Sequence, residues 1–160
     1  MQKIKVHLSA ILCILSICCL LCSFGTTAQA KQNAVKYTIR YASPGMNQEQ
    51  VLQAVGQPTF KAKKGNSWNY RKKPGAPANL SDPQIVFKNG LAKIIVGSQL
   101  EANGQTVLKR GDSEAQITKV LGKADRIETG AGKDVRLYYY DKLALQIVVH
   151  KGSIAVMRFN

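Results

Sequence analysis

Apolar residues fall at helical spacing in two short windows of this chain. Val51, Leu52 and Val55 stand at intervals of one, three and four, and so do Ile117, Val120 and Leu121. Each set marks one buried stripe on a short amphipathic helix. Each window opens on a glycine, Gly45 or Gly111, followed by the N-cap and N3 residues of a capping box: Asn47 with Gln50, and Ser113 with Gln116. Such a cap is worth about 1 kcal/mol and fixes where a short helix begins. Each window closes on a glycine, Gly56 or Gly122, expected in the left-handed position beyond the last turn. Residues 43–59 and 109–125 thus share one layout at an offset of 66.

After each helix the pattern changes to period two, the mark of strands with one buried face. The second copy predicts strands over 125–129, 135–140, 143–149 and 154–159, with a glycine turn at 130–132, a tight Asp141-Lys142 turn and a Lys151-Gly152 turn. In the first copy residues 85–96 predict a hairpin around Asn89-Gly90, a strong turn signal. That hairpin aligns with 147–158 at an offset of 62. Alternation of Val35, Tyr37, Ile39 and Tyr41 predicts a further strand or extended arm.

These elements define an α+β fold of two tandem repeats, each a short helix packed on a small antiparallel meander. One helix on four short strands buries too little apolar area to stand alone, so the two units are expected to share a core and leave a seam or concave face between their sheets. The expected divisions are a signal peptide at 1–30, an arm or strand at 31–42, repeat 1 at 43–97, a linker at 98–109 and repeat 2 at 110–160.

Residues 1–30 place Lys3 and Lys5 before a mainly apolar run at 8–21 and end on Ala28-Gln29-Ala30, which reads as a secretory signal cleaved after Ala30. The run holds or adjoins all four cysteines, Cys13, Cys18, Cys19 and Cys22, so the exported part would fold without disulfides or thiolate ligands. Bulky Leu21 before Cys22 argues against lipidation there. The segment carries two of the 23 basic residues and none of the nine acids, so the net charge falls from +14 to +12 on its removal. That excess favours an envelope protein or an anionic envelope polymer or lipid surface as partner, and export argues against nucleic acid.

Little catalytic chemistry remains. His150 is the one histidine after residue 30, and it stands alone beside a turn, where neither a triad nor a metal site can be built from it. No spacing of the acids suggests a hydrolytic carboxylate pair, and no phosphate-binding glycine loop occurs. No cofactor, metal or catalytic residue is expected, and the chain reads as a non-enzyme. Arg110-Gly111-Asp112 spells an adhesive tripeptide, but its place before a helix cap accounts for it by backbone needs and helix-dipole charge. Asn79-Leu80-Ser81 fits a glycosylation acceptor only in a eukaryotic source. The insertion at 72–83, with three prolines, predicts a protruding loop. Beside it Trp68, Tyr70, Arg71, Lys72, Lys73, Pro74 and Pro77 form the expected partner-binding surface, basic and aromatic in composition.

Gly45, Met46, Val51, Gly56, Pro58, Trp68, Tyr70, Phe87 and Gly90 match a pattern of Gly-Met, short helix, Gly-x-Pro, aromatic strand and closing hairpin. In these the first copy resembles the SmpA/OmlA, or BamE-like, outer-membrane assembly lipoproteins, and the tandem arrangement is similar to the β-lactamase inhibitor protein architecture. The likeness spans about 43–159. It implies an envelope assembly or scaffold role, or alternatively a secreted inhibitor of a hydrolase. The second copy departs from the pattern at Gly111-Asp112 and Gly122-Lys123-Ala124.

Overall fold

The structure, a computed structural model, describes residues 35–71 and 81–160. The signal-peptide reading and the cysteines fall outside them. Both expected helices form: α1 is Gln48–Val55 and α2 is Glu114–Leu121. At α1 the capping box closes in both directions, with Gln50 N–H donating to Asn47 Oδ1 at 2.8 Å and Asn47 N–H donating to Gln50 Oε1 at 2.9 Å. At α2 only the forward half forms, Gln116 N–H donating to Ser113 Oγ at 3.4 Å.

The helix stops differ from the expected left-handed cap. Gly56 has φ 90° and ψ −164°, and Gly122 has φ 77° and ψ −162°. That is the mirror image of extended backbone, open in practice to glycine alone. A Cβ at either position would meet nothing within 4 Å, so the cost of a side chain there is conformational and not steric. Gly56→Ala and Gly122→Ala are each expected to lower stability by about 1–3 kcal/mol in denaturant unfolding; no change would show that the chain relaxes into another cap.

The strands form two antiparallel sheets, which with the two helices make an α+β fold. The larger sheet contains β2 (Phe60–Lys61), β3 (Ser67–Arg71), β4 (Ser81–Lys88), β5 (Leu91–Gly97), β8 (Arg126–Thr129), β9 (Val135–Tyr140), β10 (Leu145–His150) and β11 (Ser153–Phe159). Their spatial order is β2-β3-β4-β5-β11-β10-β9-β8. The last strand in sequence therefore lies at the centre, where β11 meets β5 through Gly97–Met157, Val96–Arg158 and Ile95–Phe159. A single continuous sheet replaces the expected seam between two sheets, because this pairing satisfies the open edges of β5 and β11.

Two-residue turns at Asn89-Gly90 and Lys151-Gly152 both have positive φ, as a tight right-twisted hairpin requires. The Asp141-Lys142 turn is wider than expected: a 3₁₀ turn at Asp141–Leu143 and a left-handed Ala144 delay β10 to Leu145.

The smaller sheet orders β1 (Tyr37–Ile39), β6 (Gln99–Ala102) and β7 (Gln105–Lys109) as β1-β6-β7. The stretch expected as a linker, 98–109, is thus a hairpin turning on Asn103-Gly104, with φ 52° and 82°. The expected alternation through Tyr41 also ends early, because Arg40 and Tyr41 turn back with φ 50° and 67°. Buried Glu101 fastens that turn, accepting hydrogen bonds from Thr38 Oγ1 at 2.9 Å and Tyr41 N–H at 3.1 Å. Two acceptor contacts offset much of the cost of burying a carboxylate.

One apolar cluster gathers Val51 and Ile117 from the helices with Ile39, Leu100 and Leu108 from the small sheet. Onto it the large sheet directs Trp68, Ile85, Phe87, Ile95, Tyr138, Ile147, Met157 and Phe159. Tyr140 locks helix to sheet by donating to Gly122 C=O at 3.1 Å. No helix among the described residues is long and apolar enough to cross a membrane.

Candidate binding surface

Alternation along the strands gives the large sheet a second face. Val86, Ile94, Val96, Leu137, Val148 and Val156 are half-buried, interleave with the core residues and take no part in the cluster shared with the helices. Strand register strings one residue from each strand into a row across this face: Phe60, Asn69, Gln84, Val96, Arg158, Gln146, Tyr139 and Arg126. Aliphatic pairs flank the row, Val86 with Ile94 on one half and Val148 with Val156 on the other. Aromatic, amide and guanidinium groups over an aliphatic floor make a composition suited to a protein surface or a polymer.

The two arginines of the row differ. Arg126 is engaged: it pairs with Glu128 and lies 3.6 Å from the centroid of Tyr139, whose hydroxyl donates to Glu128 at 3.0 Å. Arg158 sits at the centre of the sheet, and its Nε is buried without a partner among the described residues. A guanidinium with no acceptor among the described residues is an incomplete interaction, which an acceptor at its accessible nitrogens would complete.

The surface expected from sequence is distributed otherwise. Trp68 is 2% exposed and belongs to the core, 4.7 Å from the ring of Phe87 and with Lys61 Nζ 4.5 Å above it. Its period-two position placed it on the helix side of the sheet, which corrects its reading as a docking residue. Tyr70 follows on the same face and packs against the core. Arg71 ends β3 opposite Ser81. Lys72, Lys73, Pro74 and Pro77, most of the expected loop, and residues 79–80 of the glycosylation triplet lie outside the described residues. The row itself escaped sequence reasoning, since it exists only once the register across eight strands is known; the Asn103-Gly104 hairpin, by contrast, carried its own turn signal.

Burial pushes the Tyr70 hydroxyl up to about 12, and that oxygen has no hydrogen-bond partner among the described residues. The Tyr138 and Tyr140 hydroxyls are also raised, first by burial; the neighbouring Glu114 adds for Tyr138, and Tyr138 and Asp125 add for Tyr140. A phenol whose folded pKa exceeds its unfolded value near 10 contributes stability that is present below pH 10 and lost as pH rises towards 12. The unfolding midpoint should therefore fall across pH 10–12, and Tyr70→Phe should flatten that fall while leaving stability at pH 7 equal or higher. An unchanged pH profile in Tyr70→Phe would assign the effect elsewhere.

The remaining candidate groups serve the backbone. In the Arg110-Gly111-Asp112 tripeptide, Arg110 Nε donates to Ala155 C=O at 2.7 Å, Gly111 N–H to Ile154 C=O at 2.9 Å, and Asp112 Oδ2 accepts from Lys109 N–H at 2.9 Å. His150 is exposed on the rim of a shallow pocket of about 370 Å³ that Arg110, Gly111 and Ser153 also line. Glu114 accepts from Tyr138 at 2.8 Å and pairs with Arg136 at 3.0 Å. Among the described residues no three His, Cys, Asp or Glu side chains gather around one point.

No family model matches the chain, and no curated protein matches it. Among solved structures it is similar to a DUF4309 family protein, YjgB, from Bacillus subtilis subsp. subtilis str. 168. The TM-score is 0.43 and the identity 15%, over 70% of this chain and 76% of that one. A likeness of that size leaves the argument to this chain's own residues.

Proposed function

We propose that the chain is a non-enzymatic, exported envelope protein that binds another macromolecule through the open face of its large sheet, in a BamE-like assembly or scaffold role. Unpaired Arg158, at the middle of a row that crosses all eight strands, is the observation that carries this reading. The partner presents acidic or carbonyl groups there, consistent with the basic charge of the chain.

The reading includes a duplicated unit, 43–97 and 110–160. Support comes from matched details beyond the helices. Gly45 N–H donates to Ala92 C=O and Ala92 N–H to Met46 C=O, while Gly111 N–H donates to Ile154 C=O and Ile154 N–H to Asp112 C=O. Isolated bridges join Asn47 to Leu91 and Ser113 to Ser153. A register shift follows Val86 in one hairpin and Val148 in the other. Duplication would place β5 and β11 back to back at the centre, and so make one wide docking face from two narrow ones.

The test is site-directed photocrosslinking in cells, with the crosslinker at Gln146 on the row and, as control, at Lys119 on the exposed side of α2. Capture of an envelope component from position 146 and not from 119 supports the proposal. Capture from 119 alone would overturn the choice of face. A single recovered hydrolase whose turnover falls on adding purified protein would replace the assembly role with the inhibitor one.

A further inference from the structure

On the opposite side of the sheet from that face, a cavity of about 400 Å³ opens between the start of α1 and the first hairpin. Gln48, Lys61, Lys64, Asn66, Trp68 and Asn89 line it, with two cations and no acid among them. Trp68 is 2% exposed, and its indole Nε1 is buried with no hydrogen-bond partner among the described residues. A buried N–H left without an acceptor costs on the order of 1–3 kcal/mol. The Trp68 side chain that carries it lines a space whose only charged lining residues are Lys61 and Lys64 among the described residues.

The other half of the sheet shows what such a place holds when it is filled from within. Trp68 lies opposite Ile85 as Tyr138 lies opposite Ile147. Gln48 begins α1 as Glu114 begins α2. In the second half the Glu114 carboxylate accepts from the buried Tyr138 hydroxyl and pairs with Arg136. In the first half the aromatic N–H and the cations, Lys61 and Lys64, are present, but Gln48 stands where the carboxylate would be.

From this we infer that the cavity over Trp68 is a binding site for a small carboxylate-bearing ligand. Its carboxylate accepts from the Trp68 indole N–H and is neutralised by Lys61 and Lys64, while Gln48, Asn66 and Asn89 provide polar contacts for the rest of the ligand. The volume lies within the range of about 300–1,000 Å³ usual for small-molecule pockets. This site is separate from the open face, and neither depends on the other.

Trp68 is the only tryptophan in the chain, so its emission reports the site directly. Purified protein is titrated with glutarate, with inorganic phosphate and with the uncharged glutaramide, and the indole N–H proton is followed by NMR. Glutarate should change the emission saturably and move the indole proton downfield, and glutaramide should do neither. Lys61→Gln should weaken glutarate roughly tenfold, the loss of one charge-assisted contact. Gln48→Glu, which installs the carboxylate of the other half, should weaken it by at least roughly the same factor while keeping the native circular dichroism. No saturable response to glutarate, or an equal response to glutaramide, overturns the inference. Saturation by phosphate without glutarate overturns the carboxylate class, and glutarate binding untouched by both substitutions overturns the location.

Discussion

Phe159→Ala is expected to lower stability by about 3–5 kcal/mol, the range for emptying a buried aromatic site. The melting temperature should fall on the order of 10–20 °C for a domain of this size. Phe159 lies near the end of the sequence, where backbone usually frays. Here it is 2% exposed, because β11 runs between β5 and β10 and sets Phe159 against Ile95 on one side and Leu145 on the other. The junction between the two halves of the sheet has only three registered pairs, so the core behind it must supply the rest of their coupling. Thermal unfolding of the variant should therefore remain one transition, seen alike by Trp68 fluorescence in the first half and by far-ultraviolet circular dichroism. Two separated transitions would mean that each half has a core of its own, and a loss below about 1 kcal/mol would mean that the site collapses without penalty.

Arg158→Glu should have the largest effect on binding. Reversing the charge at the middle of the row replaces a donor that lacks a partner with an acceptor that repels the proposed acidic one. A central arginine of this kind typically carries about 2 kcal/mol or more, roughly a thirtyfold change in affinity. The native fold loses no ion pair by the change, since Arg158 has none among the described residues. The Glu carboxylate would fall where the Arg158 Nε is buried, so some stability is lost as well, and affinity is compared at a temperature where circular dichroism shows the variant folded. Affinity is measured against the partner recovered from the Gln146 crosslink, with Arg126→Glu as comparison. Arg126 already spends its charge on Glu128 and Tyr139, so its reversal should disturb the edge of the sheet more than the partner. Unchanged capture by Arg158→Glu would sink the proposed face.

Local elements were legible in the sequence because their causes are local. Asn47 with Gln50, and Ser113 with its own N3 residue, fix the helix starts through contacts three residues apart. Asn89-Gly90 fixes a turn because both residues tolerate positive φ. Strand alternation likewise marks most core positions and puts Trp68 inside, where a basic, aromatic composition alone gives no face to a residue. Asn103-Gly104 carries the same turn signal, so this hairpin too is encoded locally within the stretch expected as a linker. The helix stops were half legible: glycine was required, but whether its ψ would be left-handed or extended depended on where the next strand had to begin.

The sequence by itself determined that this chain has two capped helices of one layout, hairpins of one layout and a strongly basic charge, because caps, turns and alternation act over a few residues and charge needs no fold at all. Only the tertiary structure decided that β5 and β11 join into one sheet, that eight residues from distant segments align across it with Arg158 at the centre and unpaired among the described residues, and that Trp68 lines a cavity with Lys61 and Lys64 on the other side. Those facts rest on register between residues up to 64 positions apart in the chain, as in the pair Ile95 and Phe159, and register is set by the packing of both faces together, which no local pattern encodes.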